Sequence, residues 1–155
     1  MNNIEKGLDK LIVWNKAIDL VQLVYKDIIP LLPPDERWSL AQQIRRSAQS
    51  IPANIAEGYG RYYYQDNVRF CYIARGSLEE TYSHIRVAIR LGYITASSVN
   101  NVHKAIDELK KILNGYIQFI KSSKQGESEA VLYAAKSIRE TESDYLEISE
   151  NEVLD

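Results

Sequence analysis

Apolar side chains recur at steps of three and four residues in four segments of the chain, the spacing that is typical of amphipathic helices. These segments span residues 14–28, 40–55, 66–91 and 99–120. The fourth is the most regular, because its apolar positions form an unbroken heptad seam: Val99, Val102, Ile106, Leu109, Leu113, Tyr116 and Ile120. No segment shows the alternation of a β-strand. The pattern therefore predicts an all-α protein.

Prolines and glycines mark where the predicted helices end. A proline-rich connection at residues 30–34 ends the first helix, and Asp35 is expected to cap the start of the second. Gly58 and Gly60 are expected to end the second helix, since glycine adopts the left-handed C-cap conformation at little cost. Gly92 ends the third.

Pro52 lies inside the apolar stripe of the second segment, which continues in phase on both sides of it. This continuity favours one kinked helix over two separate ones. Asn54 is expected to satisfy backbone groups that the kink exposes. Close approach of the second and third helices is expected at four small residues: Ala53, Ala56, Gly76 and Ser77.

The connections between the predicted helices are short, and short connections force neighbouring helices to run antiparallel. The economical architecture is therefore an antiparallel up-down-up-down four-helix bundle with a kinked second helix. This domain is expected to span residues 1–124. Residues 125–155 form an acidic C-terminal extension, in which residues 127–140 have the pattern of a short fifth helix and the rest that of a poorly ordered tail.

The net charge of -2 conceals an uneven distribution of charged side chains. Residues 1–124 carry 17 basic and 12 acidic side chains, whereas residues 125–155 carry 2 basic and 9 acidic ones. The guanidinium group suits carboxylates and phosphates alike, so the arginines of the bundle have two interpretations, ion pairs at packed surfaces or nucleic-acid contacts. The candidates for nucleic-acid binding are Arg37, Arg45, Arg46, Arg61, Arg69 and Arg75.

The connection between the second and third predicted helices combines arginine with consecutive tyrosines. This composition is typical of single-stranded nucleic-acid contacts and equally of protein interfaces. We favour the interface and expect it to include Tyr59, Arg61, Tyr62, Tyr63 and Tyr64. The tail from residue 127 to residue 155 is expected to fold back on a basic surface of its own subunit or of a neighbour.

The sequence offers no combination of residues that is typical of an enzyme or a metal site. Cys71 is the only cysteine, and His84 and His103 lie on different predicted helices. Glu57 is a lone carboxylate, for which pairing with an arginine is expected. We therefore expect no catalytic residues, metal, cofactor or small-molecule substrate. Without a signal peptide or an apolar run of membrane-spanning length, a cytoplasmic location and no membrane partner are expected.

Several motifs resemble a known family. Residues 43–61 read QIRRSAQSIPANIAEGYGR, and shorter matching pieces are LIVW at 11–14, ARGSLEE at 74–80, LGYI at 91–94 and LNGYI at 113–117. Together they resemble the bacterial four-helix-bundle family that is encoded in intervening sequences of large-subunit ribosomal RNA genes. The structural motif positions of this resemblance are Pro52, Asn54, Glu57, Gly58 and Gly76.

The resemblance implies a four-helix bundle that assembles into a ring, typically of five subunits, and the biochemical role of the family is unsettled. The related accessory proteins of diversity-generating retroelements bind nucleic acid through a basic surface. This chain departs from the family at Tyr62–Tyr64, where lysine-rich residues are usual, and in its C-terminal extension. We predict a non-catalytic, homo-oligomeric interaction or scaffold protein, with RNA or other nucleic-acid binding through the arginine-rich surface as the alternative.

Overall fold

The computed structural model describes residues 7–124 and Gly126. Four long helices account for most of these residues, and no strand occurs among them: α1 is Ile12–Leu23, α2 is Leu40–Tyr59, α3 is Tyr64–Arg90 and α4 is Asn100–Ser123. A π-helical segment at Val24–Ile28 prolongs α1. Short 3-10 turns lie at Leu8–Lys10, Ile29–Leu31, Pro34–Trp38 and Ser97–Val99. The predicted all-α four-helix bundle is confirmed.

One hydrophobic core runs between the four helices. The heptad seam predicted for α4 lies in it, with Val99 and Leu113 fully buried and Tyr116 packed at its edge. Of the stripe predicted from the first apolar segment, Ala17, Val24 and Ile28 are fully buried, whereas Trp14 and Val21 are only partly buried and their neighbours Val13 and Leu20 lie in the core instead.

The pairs α2/α3 and α3/α4 are antiparallel. Across the first pair, Thr81 Oγ1 donates to Ser47 Oγ at 2.9 Å, and the hydroxyls of Ser50 and Ser77 lie 2.8 Å apart. Residue 47 thus faces residue 81 and residue 50 faces residue 77, so the two helices run in opposite directions. Across the second pair, Arg75 donates to Asn114, and Lys110 pairs with Glu79. Helix α1 packs against both α2 and α4.

Pro52 is buried inside α2, which continues without interruption from Leu40 to Tyr59. Its missing amide leaves the carbonyl of the preceding turn without a helical donor. Asn54 Nδ2 donates to the carbonyl of Ser50 at 2.8 Å and to its hydroxyl at 3.0 Å. The prediction of one helix instead of two is confirmed. The prediction for Asn54 is not, because the carbonyl that loses its donor at Pro52 is that of Ala48, whereas Asn54 bonds to Ser50.

Helix α2 ends at Tyr59 with Gly60 as its C-cap, as predicted, but the left-handed conformation expected for Gly58 and Gly60 is wrong. Gly60 has a φ of -75°, and Gly58 lies inside the helix. Gly58 serves instead for close approach, because a Cβ atom there would lie 2.8 Å from Asn67 Oδ1 and 2.9 Å from Phe70 Cβ. Glycine is needed at this position for packing between α2 and α3.

The predicted close approach at Gly76 and Ala53 is also wrong. Both residues are exposed, and a Cβ atom added to Gly76 would meet nothing within 4 Å. They lie on the outer surfaces of their helices, whereas the hydroxyl-bearing residues of α2 and α3 form the contact. The prediction is right for Ser77, whose side chain is buried against α2.

Gly92 ends α3 as predicted, with a left-handed φ of 76°. Its amide donates to Ile89 and the amide of Tyr93 donates to Ala88, which together make a Schellman motif. At the start of α2 the prediction of Asp35 as the cap is wrong. The carboxylate of Glu36 instead accepts the Leu40 amide at 3.0 Å. The domain boundary at residue 124 stays a prediction, and the fifth helix at 127–140 and the folded-back tail lie outside the residues that the structure describes.

Candidate interaction surface

A cleft of about 420 Å³ opens at the end of the bundle where α2 ends, α3 begins and α4 ends. We call it the aromatic cleft, and define it by Tyr59, Arg61, Tyr62, Tyr64, Tyr116 and Phe119. Four of the five residues predicted as an interface line it. The fifth, Tyr63, packs its ring edge-to-face on Tyr62, with the ring centroids 5.2 Å apart.

The aromatic cleft presents large apolar side chains to solvent. Tyr59 is 42% exposed, Tyr62 51% and Phe119 67%. Isolated apolar side chains are normal on protein surfaces, but several around one concavity mark an interaction site. Tyrosine and phenylalanine in such a setting are typical of the centre of a protein interface.

Two of the six residues that define the cleft, Tyr116 and Phe119, come from α4 and were not predicted as part of the interface. Tyr116 was assigned to the heptad seam, and Phe119 was not singled out at all. The available signal was that Phe119 lies off the seam, so that a helical bundle cannot bury its ring. In the structure Phe119 is indeed among the most exposed of the apolar residues described.

The floor of the cleft is polar and internally bonded. Asn67 Nδ2 donates to the Tyr116 hydroxyl at 3.5 Å, and the Cys71 thiol donates to Asn67 Oδ1 at 3.6 Å. Burial is the main reason why the pKa of Tyr116 is raised above its ordinary value of 10.0. The floor therefore stays uncharged at neutral pH, and the charge of the cleft is supplied by Arg61.

Arg61 is partly neutralised by its neighbours. Its Nη2 lies 2.5 Å from Glu57 Oε1, one helical turn earlier, and its Cζ lies 5.2 Å from the centre of the Phe70 ring. Glu57 thus has the arginine partner expected for it. The pair is exposed, so it fixes the orientation of the guanidinium more than it contributes to stability.

The six arginines proposed for nucleic-acid binding are not brought together. Arg46 pairs with Glu80 of α3 at 2.8 Å, and Arg45 donates to the backbone carbonyl of Arg37 at 2.8 Å. Arg45 and Arg61 are separated by roughly 24 Å along the helix axis at 1.5 Å per residue. These side chains do not converge on one phosphate-sized site.

One of these six arginines, Arg75, lies with a lysine on the face formed by α3 and α4. The ring of Tyr72, which is 40% exposed, has Arg75 Cζ 4.8 Å and Lys121 Nζ 5.3 Å from its centre. Arg75 is held by a 3.1 Å bond to Asn114 Oδ1. We call Tyr72, Arg75 and Lys121 the Tyr72 cluster. Exposed Arg69 lies one turn before Tyr72 on the same helix. Lys121 was not predicted because all the sequence candidates for nucleic-acid binding are arginines, and they lie between residues 37 and 75.

The remaining titratable groups have separate structural surroundings. Burial raises the pKa of the Cys71 thiol to about 11. His84 Nε2 lies 3.4 Å from Glu80 Oε1, which also pairs with Arg46 of α2, whereas Glu79 pairs with Lys110 of α4. Burial is also the main reason why the pKa of His103 is lowered. Among the described residues, no group of three or more His, Cys, Asp or Glu side chains could hold a metal ion.

No helix in the described part of the chain is both long enough and apolar enough to cross a membrane.

Two of three comparisons with known proteins give a match. None of the curated proteins matches the chain at a significant level. A crystal structure of a protein of unknown function from the S23 ribosomal protein family of Bacteroides thetaiotaomicron matches with a TM-score of 0.62. The two chains are 25% identical, and the match covers 68% of this chain and 98% of the other. The family model of the 23S rRNA-intervening sequence proteins matches residues 9–115, from the turn before α1 well into α4, and the chain belongs to this family.

Proposed function

We propose that this protein is a non-catalytic interaction module that assembles with copies of itself through the aromatic cleft. The observation that carries the proposal is the exposure of Tyr59, Tyr62 and Phe119 around one concavity. Aromatic rings in such a position dominate the energetics of protein interfaces. In a closed ring every subunit buries the same surface against its neighbour. The family resemblance implies a ring of five subunits.

The engagement of the titratable side chains supports a non-catalytic role. Glu79 pairs with Lys110, and Glu80 lies between Arg46 and His84. A nucleophile needs a low pKa or an adjacent base, whereas the Cys71 thiol has a pKa of about 11 because it is buried. These groups hold helices together.

Size-exclusion chromatography with light scattering tests the assembly. The wild-type chain is expected to elute as a single oligomer of several subunit masses, and Phe119→Ser and Tyr62→Ser are expected to shift it to the monomer. Ile12→Ser is the matched control, because Ile12 is also 67% exposed but does not line the cleft. A monomeric wild type at micromolar concentration, or an oligomer that both cleft variants leave intact, would contradict the proposal.

A second candidate function is RNA binding at the Tyr72 cluster. Arg75 and Lys121 lie over the exposed Tyr72 ring, and cations that can contact phosphates beside an aromatic ring that can stack on a base are the combination found in single-strand binding sites. The net positive charge of residues 1–124 supports it.

Fluorescence anisotropy with a labelled single-stranded RNA, measured at several salt concentrations, tests this candidate. Arg75→Ala and Lys121→Ala are each expected to weaken binding and to reduce the salt slope by about one. Lys16→Ala is the control, because Lys16 is paired with Glu108 at a distance from the cluster. The absence of salt-sensitive binding by the wild type would refute the candidate.

A further inference from the structure

The chain leaves the bundle beside the aromatic cleft. Helix α4 ends at Ser123, and Lys124 takes a left-handed conformation with a φ of 48°. The backbone of Gly126 then lies on the tyrosine pair of the α2–α3 connection, because an added Cβ atom would be 2.6 Å from Tyr63 Cδ1 and 3.2 Å from Tyr62 Cε1. Position 126 requires glycine because its φ is 80° and because a Cβ atom would collide with the tyrosine rings. Whatever follows Gly126 therefore starts at the rim of the cleft.

The charge of the following segment is opposite to that of the bundle. Residues 127–155 contain nine acidic and two basic side chains, whereas residues 1–124 have a net charge of +5. Arg61, which pairs with Glu57, lies in the cleft, whereas Lys121 lies outside it, over the Tyr72 ring on the face formed by α3 and α4. The segment begins with Glu127 and Glu129 and continues with the apolar residues 131–133. This order matches a cleft with a cation at its rim and aromatic rings along its wall.

We propose that residues 127–155 dock on the aromatic cleft of their own chain and compete there with a second copy of the protein. The docking stands on the position of Gly126 and on charge complementarity. The competition rests on the proposed function of the cleft. The segment carries the charge opposite to that of Arg61, and it is attached to the chain beside the cleft. This attachment favours docking on the cleft of the same chain over docking on another copy.

The tether sets the size of the expected effect. A segment attached this close has an effective concentration of about 1 mM. When the docked segment leaves the cleft open in about one tenth of the molecules, the apparent affinity for a partner falls about tenfold. Assembly would then respond to anything that draws the tail away, including modification or neutralisation of its carboxylates.

Site-directed photocrosslinking of the full-length protein tests the docking. With Tyr62→p-benzoylphenylalanine, irradiation is expected to join position 62 to residues 127–155 in a product of monomer mass, identified by mass spectrometry. The control is Trp38→p-benzoylphenylalanine, because Trp38 is 74% exposed and lies at the opposite end of α2. It is expected to give no crosslink to the tail. A tail crosslink of dimer mass would overturn docking within one chain, and a crosslink from position 62 only to the bundle of a second copy would overturn docking altogether.

Neutralisation of the tail tests the competition separately. In the full-length chain, replacing the nine acidic residues of 127–155 by their amides is expected to strengthen assembly about tenfold in sedimentation experiments over a concentration series. An unchanged assembly constant would overturn the competition. If neither chain assembles, the proposed function fails, while a monomer-mass crosslink still supports the docking.

Discussion

The hydroxyl of Tyr93 donates a 2.9 Å hydrogen bond to Oε1 of Glu36, which joins the connection after α3 to the turn before α2. The Schellman motif at Gly92 directs the chain so that Tyr93 reaches this position. The other carboxylate oxygen of Glu36 accepts the Ser39 hydroxyl and the Leu40 amide. One side chain therefore caps α2 and fastens two connections at the end of the bundle opposite the aromatic cleft.

The first prediction concerns the acid stability of this contact. Hydrogen bonds from Ser39, from the Leu40 amide and from Tyr93 lower the pKa of Glu36 below its ordinary value of 4.5. A depressed carboxylate contributes stability that is complete above the unfolded-state pKa and is lost as the pH falls through the folded-state pKa. Glu36→Gln is thus expected to flatten the fall in the free energy of unfolding below pH 4.5, measured by urea titrations at successive pH values.

Asp35→Asn is the control for this effect. It removes the adjacent carboxylate, for which no such set of bonds is seen among the described residues, and it should keep the wild-type slope. Parallel curves for wild type and Glu36→Gln below pH 4.5 would show that the Glu36 bonds do not contribute.

The second prediction separates two glycines in helices. Gly58→Ala is expected to destabilise the protein, because its Cβ would meet Asn67 and Phe70 within 3 Å, and overpacking costs about 1–3 kcal/mol, which exceeds the gain in helix propensity. Gly76→Ala is expected to stabilise by about 1 kcal/mol, since it gains propensity without a contact. Denaturant unfolding measures both. A gain in stability from Gly58→Ala would contradict the packing of α3 against it.

The third prediction concerns the hydroxyl groups between α2 and α3. Thr81 Oγ1 is fully buried and lies 2.9 Å from Ser47 Oγ, and each residue also has a carbonyl neighbour in its own helix. Thr81→Val and Ser47→Ala are each expected to cost about 1 kcal/mol. The double variant is expected to cost less than the sum by about 0.5 kcal/mol or more, because neither residue then lacks a partner.

A distant hydroxyl provides the control for this cycle. Ser122 is exposed and bonds only within α4 in the described structure. Thr81→Val combined with Ser122→Ala should therefore be additive in urea unfolding. Equal coupling in both cycles would argue against a direct Ser47–Thr81 contact.

The fourth prediction concerns the reactivity of Cys71. Its side chain is fully buried, and its pKa of about 11 leaves roughly one thiolate in a thousand at pH 8. Ellman's reagent is therefore expected to label the native protein far more slowly than a small-molecule thiol, and the rate should rise with urea in parallel with unfolding. Labelling of the native protein at the rate of a free thiol would exclude the buried position.

The helices themselves could be predicted because their cause is local. Apolar periodicity located all four, and the seam of α4 from Val99 to Ile120 lies against the core almost as predicted. The outcome for glycine was mixed, since Gly92 has the left-handed cap but Gly60 does not. Sequence shows that a glycine is present but not whether it serves backbone conformation, close packing or neither.

The sequence by itself determined the elements, the family and the tyrosine-rich connection as an interaction candidate, because periodicity and motifs are properties of consecutive residues. Only the tertiary structure brought Tyr116 and Phe119 of α4 beside that connection and divided the arginines among separate contacts. It also placed the close approach expected at Gly76 at Gly58 instead, and left Gly76 on the surface without a contact. The physical reason is the same in each case. Which side chains face one another depends on the rotation and height of packed helices, and these are set by the whole core at once.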